Sequence, residues 1–235
     1  LLLITAFFGS VFGIGGQLSG VIQDLSFPTS FNCTFSGDYL TGGFTENSSP
    51  QCLPNNTRRG LTYLVEKNFT FNLDIRKMGQ FYFQNNITLN SGNETWFDYY
   101  SINIFAYSHV TVNYSMHSDG SLNLQEGSEV IVDHNFSIYR AINIGLPTLN
   151  HPPIVMRKSN HLHLYNRTPQ FTISSPNTQS CYDVISLNDP NNIDKVGDSC
   201  DIRTYPNPFP INGGVLHFLS NRKLVRFCPD RKSVV

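Results

Sequence analysis

Apolar and polar residues alternate with a period of two in several short segments, and this pattern constrains the fold more than any other feature. In residues 68–75 the apolar side chains on one face are Phe69, Phe71, Leu73 and Ile75. In residues 110–116 they are Val110, Val112, Tyr114 and Met116. Such alternation is typical of half-buried β-strands. Because windows with the apolar spacing of an amphipathic helix are rare, the sequence predicts an all-β fold of short strands.

The alternating segments also repeat along the chain. Residues 68–89 and 109–132 align at an offset of 41, which places Gly79 on Gly120. Both glycines are predicted to occupy tight turns with positive φ. Two weaker copies of the unit are residues 156–173 and 214–227.

Two architectures account for a repeat of this length. In a β-solenoid each coil buries its apolar face against its neighbours, and a 41-residue unit is about two coils. In a β-sandwich or jelly roll, successive hairpins resemble one another through strand chemistry alone.

Residues 120–138 resemble extracellular parallel β-helix surface glycoproteins, because single turn residues separate very short alternating strands. The resemblance covers residues 61–173 and implies a parallel β-solenoid of short strands with disulfide-tied caps. We therefore expect the solenoid, and the sandwich or jelly roll remains the alternative.

The chain divides into five segments by composition. Residues 1–16 are apolar and then glycine-containing, as in the remnant of a signal peptide. Residues 17–60 are expected to form an N-terminal cap, residues 61–173 the repeat β region, and residues 174–229 a C-terminal cap or loop region with the last strands. Residues 230–235, DRKSVV, match the translation of a sequencing adapter and are interpreted as an artefact.

Nine N-x-[ST] sequons predict N-glycosylation, and they exceed what the Asn, Ser and Thr content would produce by chance. Glycans require exposed positions on a protein of the secretory pathway. We therefore expect an extracellular or cell-surface glycoprotein. The sequon residues are Asn32, Asn47, Asn55, Asn68, Asn86, Asn93, Asn113, Asn135 and Asn166.

The five cysteines are predicted to form local disulfides. Cys33 and Cys52 are 19 residues apart, as are Cys181 and Cys200. In an oxidising compartment these two local pairs are the simplest pairing, which leaves Cys228 with an undetermined partner. The spacing lacks the C-x2-C signature of zinc sites, so no metal site is predicted.

The charge content excludes a nucleic-acid-binding surface. Charged residues make up 14% of the chain, against about 25% in ordinary soluble domains. Sixteen Lys and Arg balance 17 Asp and Glu, and no basic cluster stands out. No nucleotide-binding glycine motif is present outside the signal-like region, and we expect no cofactor. No later segment is long and apolar enough to span a bilayer, so a membrane anchor, if the protein has one, is expected outside this fragment.

The densest aromatic cluster is the candidate ligand-binding site. Trp96, Tyr99 and Tyr100 lie within a run of five residues, four of them aromatic. Aromatic rings stack on sugars and anchor protein interfaces, so these three residues are predicted to contact a ligand. Their alternative role is to fill the core beneath a loop.

Acidic and histidine side chains were considered for catalysis and metal binding. A glycosidase needs two carboxylates at a defined separation. The candidate carboxylates are Glu94 and Asp98 beside Trp96, and Glu126, Glu129 and Asp133. His161 and His163 share one face of an expected strand and could bind a metal with a third ligand, although exposed polar side chains also fit this pattern. No catalytic residue is assigned.

These features together predict a secreted or cell-surface, N-glycosylated structural or recognition protein without catalytic activity. It would serve as an adhesion, coat or receptor ectodomain, with glycans or another extracellular protein as partner. The alternatives are a secreted carbohydrate-active enzyme on a β-helix and a fragment of a viral envelope attachment glycoprotein.

Overall fold

The computed structural model describes residues 25–35, 60–71, 78–91, 96–148, 151–157, 162–164, 170–174, 180–187, 206–211, 213–219 and 224–230. Within these ranges every regular element is a β-strand, which confirms the all-β prediction. The signal-like residues 1–16 and most of the adapter-like segment lie outside the described residues, so those two predictions stay predictions.

The described residues form nineteen short strands. In chain order they are β1 (Cys33–Phe35), β2 (Thr62–Val65), β3 (Phe69–Phe71), β4 (Met78–Phe83), β5 (Ile87–Ser91), β6 (Trp96–Ile104), β7 (His109–Val112), β8 (Ser115–Ser118), β9 (Leu122–Leu124), β10 (Glu129–Val132), β11 (Phe136–Ile138), β12 (Ala141–Ile144), β13 (Ile154–Met156), β14 (Leu162–Leu164), β15 (Gln170–Ile173), β16 (Tyr182–Leu187), β17 (Phe209–Ile211), β18 (Gly214–Leu219) and β19 (Leu224–Pro229).

The strands belong to two sheets, neither of which closes on itself. The ten-stranded sheet runs in the order β1-β2-β4-β6-β8-β11-β14, with β9, β12 and β15 attached beside this path. The nine-stranded sheet runs in the order β17-β18-β19-β16-β13-β10-β7-β5-β3. The chain therefore passes repeatedly from one sheet to the other through its central region.

Strands of the central region pair in parallel, and each step in register corresponds to a similar length of chain. Val110 pairs with Val130, which lies 20 residues later. Gln80 pairs with Ser101 and Ile102 pairs with Leu122. The 41-residue offset seen in the sequence therefore spans two successive strand-to-strand steps.

The parallel registers differ from those of a sandwich or jelly roll, in which neighbouring strands are antiparallel. Among the described strands, antiparallel pairing occurs only where β16, β17, β18 and β19 join the end of the nine-stranded sheet. The rest of both sheets is parallel. The sandwich and jelly-roll alternatives are therefore not supported by the register.

Alternation along the strands builds one hydrophobic core. The predicted inward face of Val110, Val112, Tyr114 and Met116 is at most 1% exposed. In β10, Val130 and Val132 are likewise fully buried, whereas Ile131 between them is half-buried on the other face. Burial of such apolar side chains contributes the main free energy of folding.

Gly120 is required by a close approach of two backbone segments. β6 is long enough to pair with β8 through its first half and with β9 through its second half. Gly120 lies between β8 and β9, where a Cβ atom would overlap the carbonyl oxygen of Tyr100. Its φ is not in the left-handed region and Gly79 lies within β4, so the predicted positive-φ turns are wrong at both positions.

A disulfide joins the two strands where the nine-stranded sheet becomes antiparallel. Tyr182 of β16 pairs with Phe227 of β19, which places Cys181 opposite Cys228. Their sulfur atoms are bonded and their Cα atoms lie 4.3 Å apart. The predicted Cys181–Cys200 pair is therefore wrong, because the sulfur of Cys181 is already bonded to another cysteine.

The remaining predicted disulfide stays a prediction. Cys33 is buried and disulfide-bonded. Cys52 and Cys200 lie outside the described residues.

Candidate functional site

The sequon asparagines in the described residues share one local geometry. Each is exposed, and each is followed by a residue that is no more than 3% exposed. Because side chains alternate along a strand, the asparagine and the Ser or Thr two positions later face outward on the same side. A glycan at each position would extend into solvent. The five asparagines are Asn32, Asn68, Asn86, Asn113 and Asn135, and their buried neighbours are Cys33, Phe69, Ile87, Tyr114 and Phe136.

The hydrogen bonds of these asparagines leave room for modification. The Asn68 Oδ1 atom accepts a hydrogen bond from the backbone N–H of Thr88 at 2.8 Å. The Asn113 Nδ2 atom donates to Asn90 Oδ1 at 2.6 Å. An amide nitrogen carries two hydrogens and an N-linked glycan replaces one of them, so both bonds are compatible with glycosylation. The sequons at Asn47, Asn55, Asn93 and Asn166 lie outside the described residues.

The aromatic cluster predicted to bind a ligand is divided between the core and the surface. Tyr99 is completely buried, and its ring packs edge-on against Phe81 at 5.0 Å. Tyr99 therefore fills the core, which was the alternative role considered for this cluster, and an external ligand would not reach it. Tyr100 is half-buried, and the side chain of Trp96 in β6 lies outside the described part of the chain. For these two residues, ligand binding stays a prediction.

Two tyrosine hydroxyls meet inside this core. The hydroxyl oxygens of Tyr99 and Tyr114 lie 2.6 Å apart. Burial raises the pKa of both side chains above the ordinary value of 10.0. The pair is therefore protonated and structural at physiological pH.

The candidate catalytic carboxylates do not converge. Asp98 lies on β6 in the ten-stranded sheet, whereas Glu129 and Asp133 lie at the two ends of β10 in the nine-stranded sheet. Four residues of extended strand separate Glu129 from Asp133 by about 13 Å, which exceeds the roughly 5 to 9.5 Å between glycosidase carboxylates. Glu126 is exposed in the turn before β10, and Glu94 lies outside the described residues.

Histidine, serine and aspartate side chains align across neighbouring strands without forming a catalytic triad. Asp98, His117 and Ser137 occupy paired positions on β6, β8 and β11. The His117 Nε2 atom instead contacts Asp119 Oδ1 at 3.1 Å, and Ser137 is only 6% exposed. A substrate would not reach this serine.

The candidate metal pair is only partly described. His163 lies on β14 between buried Leu162 and Leu164, and His161 lies outside the described residues. Within the part of the chain that the structure describes, no group of three or more His, Cys, Asp or Glu side chains could hold a metal ion.

An exposed cluster that the sequence patterns did not indicate lies where the chain passes from the ten-stranded to the nine-stranded sheet. Tyr107 is 64% exposed in the turn between β6 and β7, and its hydroxyl hydrogen-bonds the carboxylate of Glu126 in the next turn. Beside them the His109 Nδ1 atom lies 3.0 Å from Glu129 Oε2. We call Tyr107, Glu126, Gly127 and the His109–Glu129 pair the Tyr107 corner. The available signal was a bulky tyrosine at the position where the next turn has Gly127.

Comparisons with known proteins add no relative. No protein-family model matches the chain, and neither the curated proteins nor the solved structures contain a match. Among the described residues, no helix is long and apolar enough to cross a membrane.

Proposed function

We propose that this chain is an N-glycosylated, secreted or cell-surface protein that acts in recognition and not in catalysis. The observation that carries the proposal is the shared orientation of the five described sequons, whose asparagines all face solvent while the residue after each is buried. Glycosylation requires passage through the secretory pathway. The proposed partner is a glycan or another extracellular protein.

The disulfide supports the same compartment. Disulfides persist mainly in secreted and extracellular proteins and are rare in the reducing cytosol. Cys181 and Cys228 are bonded across two neighbouring strands. A recognition role also agrees with the separation of Asp98, Glu129 and Asp133, which leaves the alternative of a carbohydrate-active enzyme without a carboxylate pair among these three residues.

We further propose that the two sheets are faces of a parallel β-solenoid. Successive strands alternate between the sheets, and the parallel partners Phe69–Leu89, Val110–Val130 and Ile102–Leu122 are all 20 residues apart. Stacking of successive units buries a continuous core in such folds. A rigid solenoid would present its turns and outer faces for recognition.

Expression of the chain through the secretory pathway of cultured eukaryotic cells tests the proposal. We expect the protein in the medium, with a mass that falls after digestion by peptide N-glycosidase F. Peptide mapping should find Asn converted to Asp at Asn68, Asn86 and Asn113.

A matched pair of variants distinguishes glycosylation from other changes in mass. Asn113→Gln removes a sequon, whereas Asn90→Gln changes its hydrogen-bonded neighbour, which is not in a sequon. Only the first variant should lose one glycan. Secretion with all five described asparagines unmodified, or retention of a folded protein in the cytosol, would refute the proposed function.

A further inference from the structure

The backbone of Tyr107 adopts a conformation that suits its residue type poorly. Its φ is 57°, in the left-handed region that side chains other than Gly, Asn and Asp rarely adopt. The turn before it has Asn85 with φ 72°, and the turn after it has Gly127 with φ 63°. Those residue types tolerate the conformation. A tyrosine between them costs stability, and such residues concentrate at functional sites.

The ring of Tyr107 is held in place and still exposed. A Cβ atom at Gly127 would lie 2.7 Å from the Tyr107 Cδ1 atom, so the ring rests against the backbone of the next turn. The residue is nevertheless 64% exposed. The hydrogen bond to Glu126 fixes the far end of the ring. The ring is therefore an ordered aromatic surface directed at solvent.

The charge around this ring is negative. Glu126 and Glu129 both belong to the Tyr107 corner, and Glu129 is held by His109. Residues 105–109, 125–129 and 145–148, which form the three successive turns here, contain no Lys or Arg. A cation would meet two carboxylates and an aromatic face without a competing charge from these turns.

We propose that the Tyr107 corner binds an arginine or lysine side chain presented by a partner protein. The cation would lie over the Tyr107 ring in a cation–π contact and form a charge-assisted hydrogen bond with the carboxylate of Glu126. Tyr and Arg are the residues most often found at the energetic centre of protein interfaces. This inference rests on the proposed recognition role and adds the surface and the chemistry of the partner.

Titration of the secreted, full-length chain with short peptides tests the proposal. The probe is acetyl-Gly-Arg-Gly-Arg-Gly-Arg-amide, and the neutral control peptide has Gln in place of Arg. We expect the arginine peptide to bind and the glutamine peptide not to bind. Tyr107→Asn should raise the Kd about tenfold, because both the cation–π contact and the ordered ring are lost. Glu126→Gln should raise it by a smaller factor, and added salt should weaken binding.

Tyr139→Asn is the matched control variant. Tyr139 is also exposed, at 47%, but it precedes Arg140 and packs against His117 at 5.7 Å. Its replacement should leave the Kd within about twofold, because this site lacks the excess of carboxylates that a cation requires. Equal losses in the Tyr107 and Tyr139 variants would overturn the proposal, as would the absence of arginine-peptide binding at millimolar concentration.

Urea unfolding of Tyr107→Asn supplies a readout that separates binding from structure. Since Asn tolerates a left-handed φ, we expect the midpoint to stay the same or to rise. A lower midpoint would show that Tyr107 is retained for packing on Gly127 and would overturn the inference. Glycan mass is read independently of binding, so a failure of this inference is distinguishable from a failure of the proposed function.

Discussion

The hydrogen-bonded tyrosines Tyr99 and Tyr114 show how this core accommodates polar atoms. A hydroxyl transferred from water into an apolar interior costs free energy unless it finds a partner. Both residues are at most 1% exposed, and their hydroxyl oxygens are 2.6 Å apart. Each hydroxyl therefore offsets the desolvation of the other, and the pair links β6 to the turn that follows β7.

Replacing one tyrosine of this pair should cost more than its share of the hydrogen bond. Tyr99→Phe leaves the hydroxyl of Tyr114 without this partner, and we expect a loss of about 1–2 kcal/mol in the free energy of unfolding. The double variant Tyr99→Phe/Tyr114→Phe should lose less than the sum of the two single variants. Urea unfolding of the four proteins measures this coupling. Additive losses would show that the hydroxyls do not interact.

Stability should fall at alkaline pH because of the same residues. Burial raises the pKa of Tyr63, Tyr82, Tyr99 and Tyr114 above 10.0. Above about pH 10 the unfolded chain loses phenolic protons that the folded protein retains, so the free energy of unfolding decreases as the pH rises. Urea midpoints at increasing pH, with tyrosinate absorbance read in parallel, measure the effect.

The decrease should be smaller in Tyr99→Phe, which removes one of the raised pKa values. Ionisation of every tyrosine while the protein remains folded would contradict the expected linkage.

Residue patterns predicted burial better than partners. The alternation identified Val110, Val112 and Tyr114 as inward-facing, because burial depends on the local two-residue period. The partner of Cys181 depends on a strand pairing between residues 47 positions apart. Equal local spacing carried no information about that pairing, and the Cys181–Cys200 prediction failed for this reason.

At the scale of strands, three asparagines form a ladder across parallel neighbours. Asn103, Asn123 and Asn143 occupy paired positions on β6, β9 and β12. The Asn123 Nδ2 atom donates to Asn103 Oδ1, and the Asn143 Nδ2 atom donates to Asn123 Oδ1, both at 2.7 Å. Asn103 in turn donates to the carbonyl oxygen of Phe81 at 2.9 Å. The side chains thus repeat the hydrogen-bond direction of the backbone ladder.

Asn123 should contribute most to this ladder, because it takes part in two of its bonds. Asn123→Ala removes both and leaves the Oδ1 atom of Asn103, which is 3% exposed, without its ladder donor. We expect a loss of about 1–3 kcal/mol in the free energy of unfolding. Asn143→Ala is the matched control, since it removes one bond at the end of the ladder and should cost about half as much. Equal or larger losses in Asn143→Ala would contradict the ladder.

Strand direction was beyond the reach of the alternation. Inward and outward side chains alternate identically in parallel and antiparallel strands, so the sequence supported both a solenoid and a sandwich. The 41-residue offset between Gly79 and Gly120 contained the missing information. Its meaning depended on β6 lying between the two repeat copies, which only the register of β4, β6 and β9 reveals.

At the scale of the whole molecule, the described strands change character near the C-terminal end of the chain. β13 and β16 are parallel, whereas β16, β19 and β18 are antiparallel neighbours. The predicted C-terminal segment of residues 174–229 therefore contains strands that extend the nine-stranded sheet. Its proline- and asparagine-rich composition indicated a change from the repeat, but the strand pairing depends on contacts distant in sequence.

The Cys181–Cys228 disulfide should stabilise this antiparallel unit far more than the ion pair beside it. The disulfide closes a loop with a sequence separation of 47, for which the chain-entropy account gives about 4 kcal/mol. Asp183 and Arg226 form a cross-strand ion pair at 2.7 Å, but Arg226 is 42% exposed, and such a pair contributes about 1 kcal/mol or less.

We therefore expect Cys181→Ala/Cys228→Ala to lower the urea midpoint several times more than Arg226→Gln does, because the cross-link restricts the unfolded chain and the exposed pair does not. A reductant should lower the midpoint of the wild-type chain but not shift the double-alanine variant further by way of this bond. Equal midpoints for the wild-type chain and the double-alanine variant would show that contacts among β16, β18 and β19 hold the unit without the cross-link.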